Sequence, residues 1–176
     1  MKRIIKVEDS HGVAFHRELK KKLKERGLLG DTVHNPLVER LNTGKCNLKL
    51  VRTILTRLVG ENRLKVLFVV DSEGRADVAY NDILKHFKKK RPGVERLDVK
   101  VVVVEPRHEA WLCIGLGGDR KKCRSNPEEV ISRIKNNQYK KWKLSDWAQD
   151  VDISNLLSES DFKDYIQGVK WLLEDC

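Results

Sequence analysis

Six of the seven residues at positions 64–70 are apolar (Leu64, Val66, Leu67, Phe68, Val69 and Val70), and only Lys65 interrupts them. A run this short, β-branched and continuous fits a strand buried on both faces, as at the centre of a parallel sheet. Parallel sheets place ligands beyond the carboxyl ends of their strands. Here the strand runs into Asp71-Ser72-Glu73-Gly74, two carboxylates separated by one residue and followed by a glycine that lets the chain turn. Two anions so placed need a cation, a basic partner or water.

The rest of the chain can be read around that strand. Ile4-Ile5-Lys6-Val7 forms a first strand ending at Glu8-Asp9. Ser10 then caps a helix over 11–26 built on Val13, Phe15, Leu19 and Leu23. Thr32-Val33-His34 gives a short second strand ended by Pro36, and residues 36–46 read as an irregular connection or a lone helical turn. Leu48, Val51, Ile54, Leu55 and Leu58 recur at helical spacing over 47–60. After the central strand come a helix over 76–89, with Val78, Ile83, Leu84 and Phe87 inward, and a strand over 97–105 closing on Pro106. A short helix starting at Arg107 or His108 carries Glu109-Ala110-Trp111-Leu112, with Trp111 as a core anchor. The glycine-rich segment 115–122 reads as a helix stop and loop. Asn126-Pro127-Glu128-Glu129 opens another helix, and Phe162, Ile166, Val169 and Leu173 mark a last one over 161–174. Alternation of strands and helices implies an α/β fold: a mainly parallel sheet with helices on both faces. Residues 1–125 make the α/β core and residues 126–176 a small helical C-terminal extension packed on it.

Charge is unevenly spread. The chain carries a net +10, yet from Ser145 onward eight acids stand against Lys163 and Lys170, a net of −6, which leaves +16 on residues 1–144. A basic body of this kind favours a polyanion partner, nucleic acid first. A heat-adapted protein rich in Lys and Glu and poor in Gln has the same composition. Tyr139-Lys140-Lys141-Trp142-Lys143 interleaves aromatics with lysines as base-stacking surfaces do, although a buried Trp142 on a solvated helix explains it equally well. Arg120-Lys121-Lys122 follows the glycines, where it can hold a nucleic-acid backbone. No run of about 18 apolar residues implies a membrane span. The four cysteines, Cys46, Cys113, Cys123 and Cys176, include no close pair. The expectation is free thiols in a reducing, cytoplasmic compartment. Self-association into a homo-oligomer stays open.

Three expected strands end in carboxylates: Glu8, Asp71 with Glu73, and Glu105 with Glu109 four residues on. On parallel strands these ends share one edge of the sheet, where mutual repulsion calls for a divalent cation or protonation. Hard oxygen ligands suit magnesium or manganese. Strand ends also attract acids simply because they are wet. His11, His16 and His108 read as ordinary surface or capping residues, with His11 the best placed of the three for a catalytic role.

The order of these parts resembles the Toprim fold, the catalytic domain of topoisomerases, bacterial-type primases and several nucleases. Ile4-Ile5-Lys6-Val7-Glu8 is similar to its first motif and Val69-Val70-Asp71-Ser72-Glu73-Gly74 to its Asp-x-Asp motif. Residues 101–112 resemble prokaryotic Toprim-like proteins with a Glu-Ala-Trp-Leu signature. The resemblance covers residues 2–116. It implies Glu8 as general acid or base, Asp71 and Glu73 as Mg²⁺ ligands, and Glu109 as a further ligand or an acid behind them. It departs at Glu73, which has a longer arm than aspartate, and at Asp9, which stands where the family usually has glycine. It implies a small nuclease acting on DNA or RNA. A binding module, or a defence or toxin–antitoxin accessory protein that keeps the fold without the reaction, stays open beside it.

Overall fold

A computed structural model describes residues 1–30, 34–89 and 91–175. Four strands, β1 (Lys2–Val7), β2 (Leu37–Arg40), β3 (Leu64–Asp71) and β4 (Leu97–Val104), form one sheet in the order β2-β1-β3-β4. Every pairing is parallel. β3 is buried over all but its last residue, as its composition requires.

Alternation along β3 splits the core into two layers. Leu67 and Val69 face one side with Ile5, Val7 and Val102, while Leu64, Val66, Phe68 and Val70 face the other with Ile4. Two helices cover the first face. One is α1 (Ser10–Glu25), through Phe15, Leu19 and Leu23; the other, near the C-terminus, spans Ser160–Leu173 and brings Phe162, Val169 and Leu172. Gly168 on that helix lies so close to the sheet that a Cβ there would come within 2.8 Å of Leu67 Cδ1. The second face is covered by α2 (Leu50–Leu55), which continues into a 3-10 turn, and α3 (Ala76–Phe87). Lys65 points to the first face and donates to the carbonyls of Trp171 and Glu174, at 3.1 and 2.8 Å. A cation at the negative end of a helix resolves its place in an apolar strand.

The second strand is at Leu37–Arg40 instead of beginning at Thr32. Thr32 and Val33 lie outside the described residues, and His34 belongs to no strand. Only Val38 of β2 is buried, so no apolar pattern announces the strand. It is held by pairing with β1 and by α1 side chains: Arg17 donates to the Val38 carbonyl at 3.2 Å and Lys20 to that of Pro36 at 2.8 Å. Leu48 and Val78, both expected inside, are 75% and 47% exposed. The Asn47 side chain accepts from the Lys49 amide at 2.8 Å, a local turn that holds Leu48 off the helix that follows. Asp9, not Ser10, caps α1, accepting from the Gly12 amide at 2.7 Å.

After β4 come α4 (His108–Gly115), α5 (Arg120–Ser125), α6 (Pro127–Ile134), α7 (Lys143–Asp146) and α8 (Ser160–Leu173). The glycines at 115–118 end α4, and Asp119 caps a new helix by accepting from the Lys122 amide at 2.9 Å, so the expected loop is a tight helix–helix turn. That turn folds α5 back on α4 and joins Cys113 to Cys123 in a buried disulfide with Cα atoms 5.5 Å apart. Free thiols were expected at both, because a separation of 10 residues gives no close-pair signal. Cys46 is a free, exposed thiol, and Cys176 lies outside the described residues. No helix among the described residues is long and apolar enough to cross a membrane.

Asp161, at the start of α8, ties these parts together. Its carboxylate accepts from the Glu105 amide (2.9 Å), the Trp111 indole (2.9 Å) and both terminal nitrogens of Arg124 (2.7 and 2.8 Å). Asp161→Ala would leave the Glu105 amide and the buried Trp111 indole N–H without their acceptor, and Arg124 with only Glu159 and the Glu105 carbonyl. It is expected to cost about 3 kcal/mol in denaturant unfolding; a loss below about 1 kcal/mol would contradict this role.

Candidate functional site

Parallel pairing of Val7 with Val69 carries β1 and β3 off the sheet on the same edge. Glu8 therefore lies beside the end of β3, and its Oε2 accepts from the Asp71 amide at 3.3 Å. Glu73 follows in a tight turn in which the Arg75 amide donates to the Ser72 carbonyl at 2.9 Å. Its φ of 49° is in the left-handed region, uncommon for a residue other than glycine.

Each acid of the rim has its own environment. Glu8 Oε1 is 2.9 Å from Lys45 Nζ, and the same ammonium donates to the Asp71 carbonyl at 2.9 Å. Burial opposes the charge on Lys45, but the hydrogen bond to Glu8 and the fields of Glu8, Glu73 and Asp71 outweigh it and raise its pKa. Asp71 Oδ1 accepts from the His108 amide at 3.1 Å and pairs with its ring Nδ1. His108 is buried, which works against protonation, yet the field and hydrogen bond of Asp71, with help from Glu109 and Asp9, raise its pKa. Asp9 pairs with Lys141 at 2.9 Å. Burial alone would raise the Asp9 pKa, but Lys141 and the Gly12 amide bring it below the usual value. Glu109, in the first turn of α4, is buried and accepts from the Tyr139 hydroxyl at 3.1 Å. Burial first, and Glu109 second, raise the pKa of that phenol.

Asp71, Glu73 and Glu109 line one cleft of about 800 Å³ together with Arg107, Arg124, Lys140 and Lys141. The site is thus a carboxylate rim bordered by cations. Trp142 is 55% exposed just beyond Lys141, so the buried alternative for it does not hold. Arg120, Lys121 and Lys122 lie on α5 but do not line the cleft, and Arg120 pairs with Glu159 at 3.2 Å. The His11 side chain, on α1, makes no hydrogen bond or ion pair among the described residues. Among the described residues, no three Asp, Glu, His or Cys side chains stand close enough together to hold a metal ion. The cation found beside Glu8 and the end of β3 is Lys45.

Three participants gave little or no sequence signal. Lys45 lies in a loop with no motif, His108 read as a surface or capping residue, and Tyr139 had no evident partner. Only the Arg107-His108-Glu109 triplet, directly after a strand, was a usable hint. His16 was also expected at the surface but is fully buried, its ring centroid 4.8 Å from that of His108 and 5.1 Å from that of Tyr165. Both His16 ring nitrogens lack a hydrogen-bond partner among the described residues.

A comparison with protein-family models finds no match, and neither curated proteins nor solved structures show significant similarity to the chain.

Burial, and then the field of His108, push the His16 pKa well below its ordinary 6.5. The unfolded chain therefore binds the extra proton, and this contribution to stability is lost as pH falls below about 6.5. His16→Phe removes two buried nitrogens that lack partners and should raise stability by about 1–3 kcal/mol. It should also flatten the acid limb of the stability profile, which denaturant titrations at pH 5 and pH 8 would check. An unchanged profile would show that His16 does not titrate as described. Glu73→Gly should hold or raise stability by about 0.5 kcal/mol, because relief of the left-handed backbone exceeds the added chain entropy. A thermal or denaturant melt showing a loss of about 1 kcal/mol would give the carboxylate a structural role.

Proposed function

We propose that the chain performs Mg²⁺- or Mn²⁺-dependent phosphodiester chemistry on nucleic acid, acting as a small Toprim-like nuclease. The observation that best supports this is the contact of Glu8 with the Asp71 amide at 3.3 Å, which joins the two motif acids at one edge of a parallel sheet. The donors are all carboxylate oxygens, the type a hard divalent cation prefers. Asp71 and Glu73 would hold the ion, with Glu8 beside them. When bound, such an ion offsets the charge that develops on a phosphodiester.

The chain's own residues supply the rest. Glu8, once released from Lys45, is placed to carry a proton. Arg107, Arg124, Lys140 and Lys141 border the cleft; three of them already pair with Glu128, Asp161 and Asp9, and Lys140 is the one left to attract a phosphate backbone. Trp142, exposed beside them, offers a face for a base. Glu109 is held back by Tyr139, which suits an acid behind the ligands better than a direct ligand.

A second reading, a binding module without catalysis, is favoured by one observation: the Lys45 ammonium already neutralises Glu8. Incubation with single- and double-stranded DNA and RNA separates the two readings. Cleavage is expected with Mg²⁺ or Mn²⁺, abolished by chelation and reduced about 100-fold or more in Asp71→Ala, since a lost metal ligand removes several kcal/mol of transition-state stabilisation. No cleavage, with an affinity that falls steeply with salt and ignores chelation, would establish the binding module instead.

A further inference from the structure

β4 is the edge of the sheet opposite β2, and among the described residues no strand pairs with its outer side. The Ser72 amide donates to the Val104 carbonyl at 2.9 Å, so Val104 and every second residue before it turn their peptide groups toward β3. Val99, Val101 and Val103 therefore turn theirs outward, and these groups make no hydrogen bond among the described residues. The run is closed at both ends: the Leu97 amide donates to the Val94 carbonyl, and the Glu105 amide to Asp161 at 2.9 Å. Along this edge α3 and α8 leave a groove of about 490 Å³, with Ala76 and Tyr80 on one side and Asp164 and Gly168 on the other. Tyr80 is 43% exposed there. Lysine in an edge strand commonly blocks pairing. Here the Lys100 ammonium lies over the Trp171 ring, 4.9 Å from its centroid, and leaves the edge open.

We propose that this edge pairs with β4 of a second copy of the chain, antiparallel about a two-fold axis at Val101. The free peptide groups run from Val99 to Val103, and their midpoint sets the register: Val101 opposite itself, Val99 opposite Val103, and Lys100 opposite Val102. Outward-facing residues opposed in this way exchange both peptide hydrogen bonds, so the three free amides and carbonyls of each copy all find partners. The side chains favour the same arrangement. On the α3 face the partly buried Val99, Val101 and Val103 of the two copies make one apolar ladder. Toward the end of β4 the groove is acidic, lined by Asp77, Glu105 and Asp164, none of which has an ion-pair partner among the described residues. Lys100 is the one cation among the described residues that line it. The two-fold turns the strand end for end and brings the Lys100 of each copy toward the acidic end of the other, whereas parallel pairing would set acids against acids. The two sheets become continuous, with the carboxylate rims at opposite ends. The pairing does not depend on the nuclease reading above.

Sedimentation velocity over a dilution series would compare the wild type with Lys100→Glu, Asp164→Lys and the double variant. Both side chains are exposed, so the fold tolerates their exchange. The wild type should be a dimer that dissociates on dilution. Each single charge reversal should weaken it about tenfold or more, because the axis counts every change twice, and the double variant should return to within about threefold of the wild type. In the wild type, amide hydrogen exchange at Val99, Val101 and Val103 should slow as the protein is concentrated, while that at Val102 and Val104 stays constant. That second measurement decides the matter should a variant not fold. A dimer indifferent to both reversals, or one in which the three amides exchange as they do in the monomer, overturns the pairing. A wild type that stays monomeric at every concentration also overturns it, and leaves the open edge to a strand of another protein.

Discussion

β1 and β3 pair in parallel with Val7 beside Val69, so both strands leave the sheet at the same edge and at the same height. Side chains alternate along a strand, and a slip of one residue would send Leu67 and Val69 to the wrong face and carry Glu8 away from Asp71. The two apolar layers on either side of β3 therefore hold the rim in place as firmly as they hold the sheet. Burial of Phe15, Leu19 and Leu23 on one face, and of Ile54 and Ile83 on the other, is what keeps two like charges near each other.

Those charges are tolerated because almost every one of them is answered. Lys45 serves Glu8, His108 serves Asp71, Lys141 serves Asp9, and a phenol serves Glu109. Arg124 does the same at Asp161, where the end of β4, the indole of α4 and the start of α8 meet. The excess of positive charge in the first 144 residues thus has two parts. Some of it is consumed within the fold, as Arg107 is by Glu128, and some, such as Lys140, is left at the cleft where a polyanion could reach it.

Much of the layout was legible from pattern alone. β1, β3, β4, α1, α3 and α8 each carry a run or a repeat long enough to announce itself, and Trp111 is the core anchor that its setting after a strand implies. β2 was misplaced because a four-residue edge strand with one buried side chain has no period to detect. α5 was missed because its apolar content is a single cysteine, Cys123, and its stability comes from the Asp119 cap and from packing on α4. The disulfide was missed for a related reason: proximity of Cys113 and Cys123 is created by the turn between two helices, which composition does not record.

The amino-acid sequence by itself determined that strands and helices alternate, that β3 is central, and that acids follow the first and third strands. These are local properties, set by hydrophobic period and turn chemistry within a few residues. Which acid meets which cation was decided only by tertiary structure. Glu8 and Lys45 are joined across 37 residues, as are Asp71 and His108, and Asp9 and Lys141 across a still longer stretch. Charge pairing acts through space with no preferred sequence separation, so it becomes visible only once the sheet has set the distances.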